Sequence, residues 1–275
     1  MFWEGICLTI NEAVICFFLY SFFGWVYETA LVSIREKQWS NRGFLIGPIC
    51  PIYGFGALIF IFIGTGLNLW LTFLVCMVSS AILEYGTAYA LEKFFHASWW
   101  DYSNMPLNLN GYICLPASLL FGTAGVVVSH FLQPVVFEPI QAMPDAVQNI
   151  GALLLTAVVS ADATLTVSSL SDFVGKMKEL EERANQAIAD KYDELESTVS
   201  GKLANVKALS LSSAMKDFII EQELKSANFK VNWLQSSAVK TIRRFKNEGA
   251  HTENRNRIKD AMLRVAKKAK AIRRS

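Results

Sequence analysis

Five apolar stretches of about 20 residues fill the first 170 positions, and each is long enough to cross a hydrocarbon layer about 30 Å thick. They run over about 12–34, 48–67, 69–91, 112–132 and 150–170. In lipid, every backbone amide and carbonyl must find a partner within the protein, which leaves helices or closed barrels as spanning structures. Continuous apolar runs of this length read as helices. The composition agrees: 52% of the chain is hydrophobic and 18% charged, against about a quarter charged in soluble domains. The expected fold is an all-α polytopic membrane bundle of about five transmembrane helices, followed by a helical tail. No basic, cleavable leader precedes the first run, so that run is expected to stay as a span.

Charge orients the bundle. Residues 1–170 hold four basic residues (Arg35, Lys37, Arg42 and Lys93) against ten acidic ones, whereas residues 171–275 hold 22 basic and 14 acidic. An odd number of spans with the N-terminus outside puts every basic residue on the cytoplasmic side, as the positive-inside rule requires. The expected protein is therefore a multi-pass cell-membrane protein with segment 133–149 outside and the tail in the cytoplasm.

Three domains are expected: a bundle over 1–170, a coiled-coil-like tail over 171–248 and a basic amphipathic helix over 249–275. Apolar or small residues recur at 173, 177, 180, 184 and 187, then in shifted phase at 188, 192, 195, 199, 203 and 206. Such a seam suits helix pairing or self-association, which would make a homo-oligomer. Beyond Gly249, residues Ile258, Met262, Val265, Ala269 and Ile272 repeat at 4-3-4-3 spacing among Lys and Arg. A helix of that kind over 254–274 is expected to lie on anionic lipid, with no specific nucleic acid as partner.

Carboxylates within spans are the most informative residues: Glu28 in the first, Glu84 in the third and Asp162 in the fifth. A charge at the bilayer centre costs at least about 2.5–3.5 kcal/mol, so such groups face a bundle interior or an aqueous cavity. They read either as a site for a cation, a proton or a polar solute, or as acids hydrogen-bonded between helices. The stretch from Arg42 through Gly47, Pro48, Pro51 and Tyr53 to Gly56 is dense in Gly and Pro. It reads as a broken helix lining a cavity or as a kinked, closely packed one. The third span is followed by a loop in which Asp101, Asn104, Asn108 and Asn110 are interleaved with apolar residues, with Trp99, Trp100, Tyr102 and Tyr112 as expected anchors at the membrane interface. That pattern predicts a structured loop dipping back toward the bundle. Five dispersed cysteines and three separated histidines form neither a metal set nor a catalytic triad, and no phosphate-binding loop occurs. No enzymatic activity, catalytic residue, metal or cofactor is expected.

Several of these segments together resemble one family. They are Tyr20 to Glu28, Asn41 to Gly56, Leu83-Glu84-Tyr85 with Glu92, and Trp99 to Ser103 continuing through Asn108 to Gly111. They resemble the CmpB-like family of type IV ABC-transporter permeases over about residues 12–170, and Asp162 resembles an acid in that family's last span. The resemblance implies a transport role and an ATPase subunit as partner. Many members have Arg where this chain has Tyr112. The candidate binding set is then Glu28, Arg42, Gly47, Pro48, Pro51, Tyr53, Glu84, Glu92, Asp101, Tyr102, Asn108, Asn110 and Asp162. The rival expectation is a membrane scaffold whose tail assembles with itself or with envelope partners.

Overall fold

The computed structural model describes residues 8–37, 39–199, 217–222, 235, 239–245, 256–261 and 264. The chain divides into two compact units, residues 1–167 with 241–243 and residues 168–240 with 244–275.

The first unit is an all-α polytopic bundle. Helix α1 (Ile10–Glu36) begins with a capping box. There the Thr9 amide donates to Glu12 Oε2 at 2.7 Å, while the Glu12 amide donates to Thr9 Oγ1 at 3.3 Å. Lys37 ends it in the left-handed conformation, with φ 52°. Helix α2 (Pro51–Gly64) follows a non-helical segment, and α3 (Leu69–Phe95) starts where Asn68 caps the Leu71 amide. Helix α4 (Leu115–Val127), a π-helical turn at Val128–Leu132 and α5 (Gln133–Gln141) form one continuous rod. Helix α6 (Asp145–Val199) runs through position 170 without a break.

Among the described residues, four stretches are long and apolar enough to cross a membrane: Ile10–Arg35, Leu69–Phe95, Leu115–Gln141 and Asp145–Ala187. Large apolar side chains lie exposed along them, among them Phe23, Trp70, Ile82, Phe131 and Leu153. Water would penalise such a surface, and lipid accommodates it.

Two expected boundaries need correction. The second span, expected over 48–67, is a 14-residue helix, about 21 Å long and too short to cross alone. Pro51 lacks an amide proton and pushes the residue before it toward extended backbone, so no helix can run in from Pro48. The fourth segment, expected over 112–132, starts later and continues to Gln141. The start shifts because Ile113–Cys114 pairs antiparallel with Asn108–Leu109. The rod continues through a π turn, in which the Gln133 amide reaches back five residues to the Val128 carbonyl, and it passes Pro134 with that residue's own amide bond missing. Segment 133–149 is accordingly mostly helix, with a turn at 142–144.

Close approach binds α1 to α2. A β-carbon on Gly24 would meet the Tyr53 ring at 2.2 Å, and one on Gly54 would meet Ser21 Oγ at 2.2 Å. Ile15, Cys16, Tyr20, Ala57, Ile61, Phe137, Ile140 and Ala152 form the buried apolar core.

In the second unit, Phe173, Met177, Leu180 and Ala184 of α6 are buried, as are Ile219, Ile220, Val239, Phe245, Ile258 and Ala261. Gln235 donates to the Asp172 carboxylate, and Arg257 pairs with Asp217 at 2.9 Å. Four of the five positions of the first phase of the heptad seam are thus buried within the single chain. The second phase from 188 onward, Gly249 and most of the 254–274 helix lie outside the described side chains.

Candidate functional site

Tyr53 stands in the first turn of α2, and Gly24 leaves its ring room to lie flat on α1. From there its hydroxyl donates to Glu28 Oε1 at 2.6 Å. Ring contacts at 6.4 Å to Tyr27 and 6.2 Å to Phe121 wall the position with aromatic faces.

A second tyrosine serves the second acid. The loop after α3 turns back along that helix, and the Tyr102 hydroxyl donates to Glu84 Oε1 at 3.0 Å. Glu84 is buried at 5% exposure, and its Oε2 has no hydrogen-bond partner. A buried polar atom without a partner is unusual and costly, which marks it as a place where something else can bind. Burial first, and then the charge of Glu84, hold the Tyr102 hydroxyl above the ordinary tyrosine range. It therefore remains a donor at neutral pH. Glu28 also acts on Tyr102, and Glu28 and Glu84 lie within electrostatic reach of each other.

The loop that brings Tyr102 down is held by its own polar groups. Asp101 Oδ1 accepts the Ser103 amide at 3.0 Å and the Ser103 hydroxyl at 2.5 Å. Asn108 donates to the Ser103 and Met105 carbonyls at 3.2 and 2.9 Å and accepts the Gly111 amide at 3.2 Å. Asn110, at φ 55°, donates to Tyr85 Oη at 3.0 Å. The expected dip toward the bundle is present, but Asp101, Asn108 and Asn110 are engaged in building the loop. Tyr112 bonds to Glu92, and burial followed by that bond pushes its hydroxyl up to about 12.

Asp162 is placed differently. Its Oδ1 accepts the Ile46 amide at 3.2 Å and the Thr166 hydroxyl at 3.2 Å, while Oδ2 accepts the Gly47 amide at 2.9 Å. Gly47 is required by this approach, because a β-carbon there would lie 2.7 Å from Oδ2. The carboxylate thus pins the non-helical segment before α2, which is further tied by the Cys50 amide to the Ser21 carbonyl at 3.0 Å. The Arg42 amide donates to Thr29 Oγ1 at 3.3 Å, and its Nε is buried without a hydrogen-bond partner. Pro48 is exposed, and Pro51 opens α2.

A further polar cluster lies at the π turn, outside the expected set. Thr72 Oγ1 donates to the Gly64 carbonyl at 3.1 Å and sits 3.0 Å from His130 Nε2, and the Ser129 hydroxyl donates to the Phe60 carbonyl at 2.8 Å. Thr72 has one hydroxyl proton for these two neighbours, so when it goes to Gly64 the oxygen accepts from His130 Nε2–H. The available signal was His130 four residues before Pro134 in an apolar run.

A family model described as "Putative ABC-transporter type IV" matches residues 15–167. The chain belongs to that family. The match runs from within α1 into α6 and takes in Glu28, Glu84, Glu92, Asp101 and Asp162. Neither a curated protein nor a solved structure matches the chain. The protein is therefore an ABC-transporter-related membrane protein of helical architecture.

Proposed function

We propose that the bundle is the membrane part of a transport system that takes a cationic solute or a proton at Glu28 and Glu84. The observation that carries this reading is Glu84 Oε2, buried and without a hydrogen-bond partner while Oε1 is held by Tyr102. Two carboxylates within reach of each other favour a positive ligand. The aromatic faces of Tyr27, Tyr53 and Phe121 suit one that carries organic substituents. An ATPase subunit as partner follows only from reading the family description as that of an ABC transporter.

Carbodiimides modify carboxyl groups in apolar surroundings, so they report on this site without requiring the partner. In the reconstituted full chain, Glu84 should be modified, and sodium, ammonium or tetramethylammonium should slow the modification several-fold. Glu28→Gln should weaken that protection. Modification of Glu84 at the same rate with and without all three cations, and at every pH between 5 and 9, would sink the reading.

The bundle is oriented with α1 starting outside and the tail in the cytoplasm, which requires an odd number of crossings, so α2 and the non-helical segment before it together make the fifth. The distribution of Lys and Arg supports this orientation. Asn11 at the start of α1 bonds to Asn149 at the start of α6, which supports those two helix starts lying on one side. A cysteine at Gln141 should label from outside and one at Lys178 from inside; labelling of both from one side rejects the arrangement.

A further inference from the structure

We propose that the loop between α3 and α4 is re-entrant and that its tip, carrying Met105, Leu107 and Leu109, sits among lipid in the cytoplasmic leaflet. This rests on loop geometry and is independent of what binds at Glu84.

Helix α3 provides a ruler. Tyr112 bonds to Glu92 near its end, Tyr102 to Glu84 and Asn110 to Tyr85 well below it. At a rise of about 1.5 Å per residue, Tyr85 lies about 15 Å back from Phe95, the last residue of the helix. A span of about 20 residues starting at Leu69 reaches past Tyr85, and Lys93 marks the headgroup level. The loop tip therefore stands at the inner edge of the hydrocarbon, not above the membrane.

Its surface fits that depth. Leu107 is 77% exposed, Leu109 55% and Met105 48%. Ile82 and Tyr89 of α3 and Leu115 and Leu119 of α4, the helices that flank the loop, are exposed apolar side chains as well. Leu107 holds φ 50°, a conformation that Gly or Asn would adopt more readily, so an apolar side chain is presented there at a backbone cost.

Irregular backbone tolerates lipid only when its polar groups are satisfied from within. Much of this loop's backbone is paired in that way. The Tyr102 amide donates to the Gly111 carbonyl at 2.9 Å, Met105 to Tyr102 at 2.8 Å, Tyr112 to Leu109 at 3.0 Å and Leu115 to Leu107 at 3.3 Å. Asn108 covers two further carbonyls and one amide. The asparagines between apolar residues are thus what allows the loop to leave water.

The test uses full-length protein in vesicles, with an environment-sensitive maleimide on Leu107→Cys and, separately, on Leu109→Cys. Labelling of the unsubstituted protein is subtracted. Ile82→Cys serves as the lipid-facing reference and Lys178→Cys as the water-facing one. Phosphatidylcholine brominated on its acyl chains should quench both loop probes to within about two-fold of the Ile82 reference, and aqueous iodide should quench them at least five-fold less than the Lys178 reference. Iodide quenching equal to Lys178→Cys would overturn the proposal in favour of a water-facing loop. Shielding from both quenchers would overturn it in favour of a covering protein, either a second copy or a partner.

Discussion

Two non-helical segments of the bundle each meet a carboxylate, and the two acids are used in opposite ways. Asp162 receives two backbone amides and one hydroxyl from the segment before α2 and its own helix, so both of its oxygens are engaged. Glu84 receives one hydroxyl from the loop after α3, and its second oxygen is left without a partner in a buried position. An acid saturated by backbone donors is part of the scaffold. An acid half satisfied has capacity for a ligand. The comparison turns a set of similar acids into two roles, and it can be broken by substitution.

The largest effect on stability is expected at Asp162. Each hydrogen bond to a charged group is worth about 1.5–3 kcal/mol, and Asp162→Ala removes both backbone bonds. Asp162→Asn should be nearly as damaging. Its amide nitrogen would have to face either the Ile46 or the Gly47 amide, donor against donor. Glu84→Gln keeps an oxygen for Tyr102 and should change thermal stability by less than about 1 kcal/mol while abolishing cation protection. Thermal unfolding of the purified variants in detergent checks the contrast. Equal destabilisation by Asp162→Asn and Glu84→Gln would erase the distinction between scaffold and site.

Much of this architecture could be read from local chemistry. Apolar run length located four of the membrane helices, and asparagines interleaved with apolar residues between α3 and α4 announced a loop that folds back. Two things escaped. The fourth apolar run was expected to end at position 132, but the π turn at Val128–Leu132 leads past Pro134 without ending the rod. A broken ladder and a widened one carry the same residues. The roles of the acids were also hidden, because Asp162 meets Ile46 and Gly47 across more than a hundred residues of chain. No spacing rule encodes a contact of that separation. In the tail, the apolar repeat at 173, 177, 180 and 184 correctly marks a buried face. The repeat alone cannot distinguish a second copy from the same chain folding back, and here Gln235 approaches Asp172 from the same unit.

The smallest effect is expected at the hydroxyl that joins the loop to Glu84. Tyr102→Phe keeps the ring, and so the loop's packing, and removes the bond to Glu84 Oε1. A typical net hydrogen bond contributes about 1 kcal/mol, so the variant should be destabilised by about that amount and by less than Asp162→Ala. Stability alone does not identify the role of the bond, so the double variant with Glu84→Gln is needed. Residues in direct contact show coupling energies of about 0.5–3 kcal/mol, whereas independent sites add. If Tyr102 acts by orienting Glu84, it should also lower cation protection in the parent and have no further effect once Glu84→Gln is present. Strict additivity in stability, with protection unchanged by Tyr102→Phe, would show that the loop closes over the acid without positioning it. Glu84 would then stand as a site set by α3 alone.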